Sequence, residues 1–82
     1  MNIFVARLNF KTGQDELHNA FAQYGEVTSA KIITDRDTGR SKGYGFVEMP
    51  NDEEGNKAIA ALNETELDGR TIVVKPANPK TN

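Results

Sequence analysis

Lys42-Gly43-Tyr44-Gly45-Phe46-Val47-Glu48-Met49 is the stretch on which the reading of this chain turns. Side chains alternate between the two faces of a strand. Tyr44, Phe46 and Glu48 therefore share one face, and Gly45, Val47 and Met49 share the other. The second set makes a sensible core face. The first set puts two aromatic rings on the side that should meet water, where folding alone gains little from them. A surface that stacks flat apolar partners does use them. Glycine weakens a strand interior and marks a place where another backbone or a ligand comes close. Lys42 adds a cation beside the rings.

The flanks supply the rest of the sheet and its cover. Val27 to Thr34, β-branched and alternating, predicts a strand with Ala30 and Ile32 inward and Ser29, Lys31 and Ile33 outward. The polar turn Asp35-Arg36-Asp37-Thr38-Gly39-Arg40-Ser41 joins it to the octamer, and Pro50 ends the octamer strand. Asn51 to Glu54 has capping chemistry, and Gly55, Ala58, Ile59 and Leu62 predict one buried helical stripe. Nearer the start, Asn2 to Leu8 predicts a strand with Phe4 on the face opposite Ile3 and Val5. Phe10 is expected to pack at that strand's mouth. Thr12 is expected to cap a helix, with Asp15 and Glu16 at its positive end. Leu17, Ala20, Phe21 and Tyr24 form its apolar stripe, His18 faces water, and Gly25 stops it. Asn63 to Gly69 reads as a turn-rich connection, and Arg70 to Ala77 as a fourth strand with Ile72 and Val74 inward and Val73 and Lys75 outward.

Strand, helix, strand, strand, helix, strand predicts an α+β domain. It is a ferredoxin-like βαββαβ sandwich: a four-stranded antiparallel sheet with two helices on one face. The first and third strands are then central neighbours, and Phe4, Tyr44 and Phe46 meet on the open face. Residues 1–78 are expected to form the domain and 79–82 a short tail.

Composition narrows the chemistry. The 82 residues suit one small domain, with 27% charged residues and no Cys, which excludes disulfides and thiolate metal sites. His18 is the only histidine, so His-based triads and metal sites have little to build on. No cofactor is expected, nor any catalysis. No apolar run is long enough to span a membrane, and no signal peptide is apparent. A cytoplasmic monomer is expected. The net charge of −2 is unusual for a partner of phosphates, but charge placement outweighs the sum. Most acids lie at 15–16, 52–54, 64, 66 and 68, in or near the helices. Lys31, Arg36, Arg40, Lys42 and Lys75 lie on strands or on the turn before the octamer.

With these residues in place, the chain resembles the RNA recognition motif family over residues 2–77. The octamer fits [K/R]-G-[F/Y]-[G/A]-[F/Y]-V-x-[F/Y] except at its last position, where Met49 replaces an aromatic and points inward. Ile3-Phe4-Val5-Ala6-Arg7-Leu8 resembles the family's hexamer, with Arg7 where Asn is usual. The short form is similar to small RNA-binding proteins of bacteria and organelles. The resemblance implies that Phe4 and Tyr44 each carry a stacked base, that Phe46 lies against sugars or between nucleotides, and that Lys42 contacts phosphate. Single-stranded RNA is the implied partner, since duplex bases are already stacked; single-stranded DNA is a further candidate, because stacking needs no 2′-hydroxyl. Lys31 and Lys75 flank the platform by alternation. Arg40, with Arg36, sits on a loop able to close over RNA. Glu48, on the ring face, is a candidate acceptor for a base amine such as cytosine N4. Backbone groups of Lys75, Pro76 and Ala77 are further candidates for reading a base.

Sharper chemical motifs fail. Asp35-x-Asp37-x-Gly39 opens like a calcium loop, but its glycine is one position early and Phe46 stands at the twelfth position. Gly43-x-Gly45 lacks a third glycine and lies inside a strand. Asn9-Phe10-Lys11-Thr12 does not resemble the phosphate-cradling loop of an acylphosphatase-like enzyme. The expected role is non-catalytic, in post-transcriptional regulation or RNA chaperoning. The alternative is a protein-interaction module that uses the same rings.

Overall fold

The computed structural model describes residues 1–77. The expected tail at 79–82 lies outside them. The elements are β1 (Asn2–Ala6), α1 (Gln14–Ala22), β2 (Ser29–Thr34), β3 (Ser41–Glu48), α2 (Asp52–Leu62), β4 (Glu66–Leu67), β5 (Arg70–Thr71) and β6 (Val73–Pro76). Four of the strands form one sheet in the order β2-β3-β1-β6, with every pair antiparallel. This is the expected α+β sandwich, with β1 and β3 at its centre.

Alternation along the strands sets the two layers. Ile3, Val5, Val47, Ile72 and Val74 are buried against Leu17, Ala20 and Phe21 of α1 and Ala58 of α2. Met49 is fully buried, so the octamer's departure from an aromatic falls in the core. Tyr24, Ile59 and Leu62 are partly buried at its margin.

Gly45 is the tightest point of the sheet. A β-carbon there would stand 2.3 Å from the carbonyl oxygen of Lys31 and 3.1 Å from Cα of Ile32. The glycine is therefore what lets β2 lie close to β3. Gly43 serves differently: its φ of 86° is left-handed, a conformation L side chains resist.

Several local expectations change. Thr12 does not cap α1. The N-cap is Gly13, whose amide donates to Glu16 Oε1 at 2.8 Å, while the Thr12 hydroxyl donates to Asp68 Oδ2 at 2.8 Å. Thr12 is buried and needs that partner. Helix α1 ends at Ala22 with Gln23 as C-cap. Gly25 is instead a contact point for Glu54, whose Oε1 accepts from the Glu26 amide at 3.3 Å. The stretch read as turn-rich holds a small hairpin, β4–β5, turned by Asp68 (φ 51°) and Gly69 (φ 84°). Asp-Gly is a strong two-residue hairpin signal. The single strand expected at 70–77 is divided at Ile72, whose amide and carbonyl bond Thr65 and Glu64 rather than β1.

Arg7 has a φ of 61°, a left-handed backbone for a non-glycine residue. Asn tolerates that region better than Arg does, because its short side chain can bond locally. Arg7→Asn is expected to raise stability by up to about 1 kcal/mol, seen as a melting point higher by a few degrees. A lower melting point would show that the arginine side chain contributes more than the backbone loses.

Candidate nucleic-acid interface

The face of the sheet away from the helices carries the aromatic cluster. Cross-strand register aligns Lys31 with Phe46, Phe46 with Phe4, and Phe4 with Lys75. One row thus crosses all four strands as lysine, ring, ring, lysine. Tyr44 lies in the next row, opposite Ala6, which pairs with Val73 on its other side.

The rings touch one another at tilted angles. The Phe4 centroid lies 5.5 Å from that of Phe46 and 5.8 Å from that of Tyr44, and Tyr44 meets Phe46 edge-on at 6.4 Å. These separations are typical of favourable aromatic pairs. Mutual packing half-buries Phe4 and Tyr44, while Phe46 stays 39% exposed. The Lys75 ammonium stands 5.6 Å from the Phe4 centroid, within cation–π range.

Lys31, Lys42, Arg40 and Glu48 are exposed. Glu48 pairs in register with Asn2 on one side and Ser29 on the other, so these three polar side chains form a row beyond the rings. Gly43 is left-handed, and the β2–β3 register shifts between Ile32 and Thr34, so Lys42 stands outside the paired rows that hold the rings. The Asp35 carboxyl lies below its ordinary value, chiefly because the Asp37 and Thr38 amides donate to it; slight desolvation opposes, and attraction to Lys42 adds least. Those two bonds, at 2.7 and 3.2 Å, and the Asp35 amide donating to the Arg40 carbonyl at 2.7 Å shape the β2–β3 turn. The loop that bears Arg40 is therefore hydrogen-bonded from within.

Charge is only partly segregated, since Glu48 shares the ring face and Asp68 sits against the β1–α1 loop. The helices bearing Asp15, Glu16, Asp52, Glu53 and Glu54 pack on the core side, so those acids are kept from the ring face. Among the described residues, no group of three or more His, Cys, Asp or Glu side chains is placed to hold a metal ion. No helix of the described residues is long and apolar enough to cross a membrane.

One aromatic departs from expectation. Phe10 does not pack into the strand's mouth: it is 66% exposed, more than any ring of the cluster. The β1–α1 loop holds it outside the core.

The family model for the RNA recognition motif matches residues 3–73, which include both the hexamer and the octamer. The chain belongs to the RNA recognition motif family. Among curated relatives, the glycine-rich RNA-binding protein blt801 of Hordeum vulgare is 49% identical over 77 residues, covering 94% of this chain and 48% of that protein. The putative RNA-binding protein RbpE of a Nostoc species is 42% identical over 80 residues, covering 98% of this chain and 81% of that one. The chain spans about half the length of the glycine-rich relatives it matches. Among solved structures, the RNA binding protein PG1 superposes with a TM-score of 0.93 at 46% identity, covering 98% of this chain and 96% of that one. A domain in the Sxl-lethal protein/RNA complex superposes with a TM-score of 0.87 at 33% identity, covering 93% of this chain and 47% of that one. The ring cluster of this chain thus lies on the sheet face of an RNA recognition motif.

Proposed function

We propose that this chain binds single-stranded RNA across the open sheet face, without catalysis, in a cytoplasmic, post-transcriptional role. Membership of the family and the names of its relatives support RNA as the ligand. The observation that carries the mode of binding is the bare row Lys31–Phe46–Phe4–Lys75 with Tyr44 beside it.

Each ring offers a flat π-face, and base stacking on such a ring is worth roughly 1–3 kcal/mol. Phe4 and Tyr44 carry one base each, and Phe46 lies against a sugar or between nucleotides. The lysines at either end of the row hold backbone phosphates. Lys75 has a double use. Without RNA its ammonium rests near the Phe4 ring. A base arriving on Phe4 displaces it outward, toward the phosphate of the same nucleotide. Lys42 and Arg40 add positive charge at the β2–β3 end. Glu48, between Asn2 and Ser29, accepts from an exocyclic amine and disfavours bases that present only acceptors there.

Stacking on a sheet requires bases that are unpaired and splayed. An RNA oligonucleotide is therefore expected to bind at least about tenfold more tightly alone than annealed to its complement. If the four cations Lys31, Lys42, Lys75 and Arg40 each hold a phosphate, log affinity falls against log salt with a slope of about −3, from about −0.7 per phosphate. Titrations of both forms at several salt concentrations test this. Equal binding of the duplex, or affinity indifferent to salt, would contradict it.

A further inference from the structure

We infer that Phe10, with the cleft beside it, is a further nucleotide subsite beyond the end of the sheet, taking one base of a strand that already lies on the rings. This rests on the RNA-binding reading above.

A single exposed hydrophobic side chain normally calls for no explanation. Phe10 differs because the backbone that presents it is fixed. Before it, the Leu8 amide donates to the Gly43 carbonyl at 2.8 Å. Around it, Asn9 closes a tight turn, accepting from the Lys11 amide on Oδ1 at 2.8 Å and from the Thr12 amide on its carbonyl at 2.9 Å. From outside, the β4–β5 turn anchors the loop at both ends. Asn9 Nδ2 donates to the Asp68 carbonyl at 2.9 Å and the buried Thr12 hydroxyl donates to the Asp68 carboxylate. A loop so bonded presents the ring to water, at 66% exposure, before any ligand arrives, which lowers the cost of binding.

The ring also stands at the end of the strand that carries Tyr44. Its Cε1 would lie 3.2 Å from a β-carbon at Gly43, the residue preceding Tyr44 in β3. The octamer's first glycine thus leaves room for Phe10 to rest against the strand that carries Tyr44. Beside the ring is a cleft of about 330 Å³ between the start of α1 and the β2–β3 turn, lined among others by Phe10, Lys11, Gln14, Thr34 and Ser41. That volume is at the small end of ligand sites, a size suited to one nucleotide rather than a long peptide segment. Among its lining residues the only charged side chain is Lys11. Arg40 and Lys42 flank the lining residue Ser41, while Asp35 follows Thr34 and Asp15 follows Gln14, so the rim carries both signs and Lys11 is the charge on the lining itself. An aromatic face with positive charge and no lining carboxylate matches a base and its phosphate.

The test is calorimetric titration of unlabelled, mixed-sequence RNA oligonucleotides, lengthened one nucleotide at a time from either end. Wild type, Phe10→Ala, Phe10→Tyr and Tyr44→Ala are compared, with thermal melts to confirm folding. In the wild type, affinity is expected to rise about tenfold when the strand becomes long enough to pass Tyr44. Phe10→Ala should lose that last gain and bind shorter strands normally, and Phe10→Tyr should keep it. If Phe10→Ala matches wild type at every length while Tyr44→Ala is weakened, the platform stands and the subsite does not; Phe10 then belongs to a protein contact or to none. If Phe10→Ala weakens all lengths alike, the ring supports the sheet and the subsite is equally refuted. If the wild type binds none of the strands, the underlying reading fails with it.

Discussion

Replacing Tyr44 and Phe46 together by alanine is expected to lower affinity for single-stranded RNA by about a hundredfold, from roughly tenfold per ring. The two rings meet at 6.4 Å and share Phe4 as a neighbour, so their losses are coupled and not strictly additive. The change also removes aromatic pairs worth about 0.5–1.5 kcal/mol each, so some stability is lost. That loss stays smaller than for a core truncation, because Phe46 is 39% exposed while core residues such as Val47 are buried. A second variant, Tyr44→Leu/Phe46→Leu, separates the two effects. Leucine keeps apolar bulk over the sheet but offers no π-face. It should melt near the wild type and still bind RNA weakly. Wild-type affinity in the folded leucine variant would mean that bulk, not stacking, is what the face supplies.

The second large effect is on the fold. Gly45→Ala is expected to destabilise the domain by about 1–3 kcal/mol, a melting point lower by roughly 5–20 °C. The new methyl would press on backbone, the Lys31 carbonyl at 2.3 Å, which has no rotamer through which to escape. Relief requires β2 to move away from β3, which weakens the pairing of Ile32 with Gly45 and of Lys31 with Phe46. The damage therefore reaches the interface by displacing Lys31. Gly39→Ala is the comparison. Gly39 is also left-handed, at φ 74°, but nothing lies within 4 Å of an added β-carbon. Its loss should be limited to the conformational cost of that φ, about 1–2 kcal/mol. A Gly45→Ala protein that melts like the wild type would show that β2 yields easily.

The octamer made both the sheet and the site legible. Alternation separated Tyr44 and Phe46 from Val47 and Met49 because strand periodicity is rigid, and the structure keeps that separation. Phe4 was placed by the same rule. The lysine-to-lysine row needed more, since register between strands is a tertiary property. Alternation could say that Lys31 and Lys75 face outward, but not that they align with Phe46 and Phe4. A threonine before a helix has the chemistry of a cap, whereas the partner that Thr12 takes, Asp68, is distant in sequence. Hydrophobicity alone directs Phe10 inward, whereas the bonds that shape its loop come from Asn9, Gly43 and Asp68, across three separate stretches of chain. Asp68-Gly69 marks the β4–β5 turn, but two-residue strands carry no periodicity that would mark the hairpin's arms.

The most direct test of base stacking on the sheet face is nuclear magnetic resonance of the complex with a short single-stranded RNA. Ring protons of Phe4, Tyr44 and Phe46 should show nuclear Overhauser contacts to base and sugar protons, and the stacked bases should shift upfield. RNA contacts confined to the helix face or the loops, with those three rings unperturbed, would contradict the account.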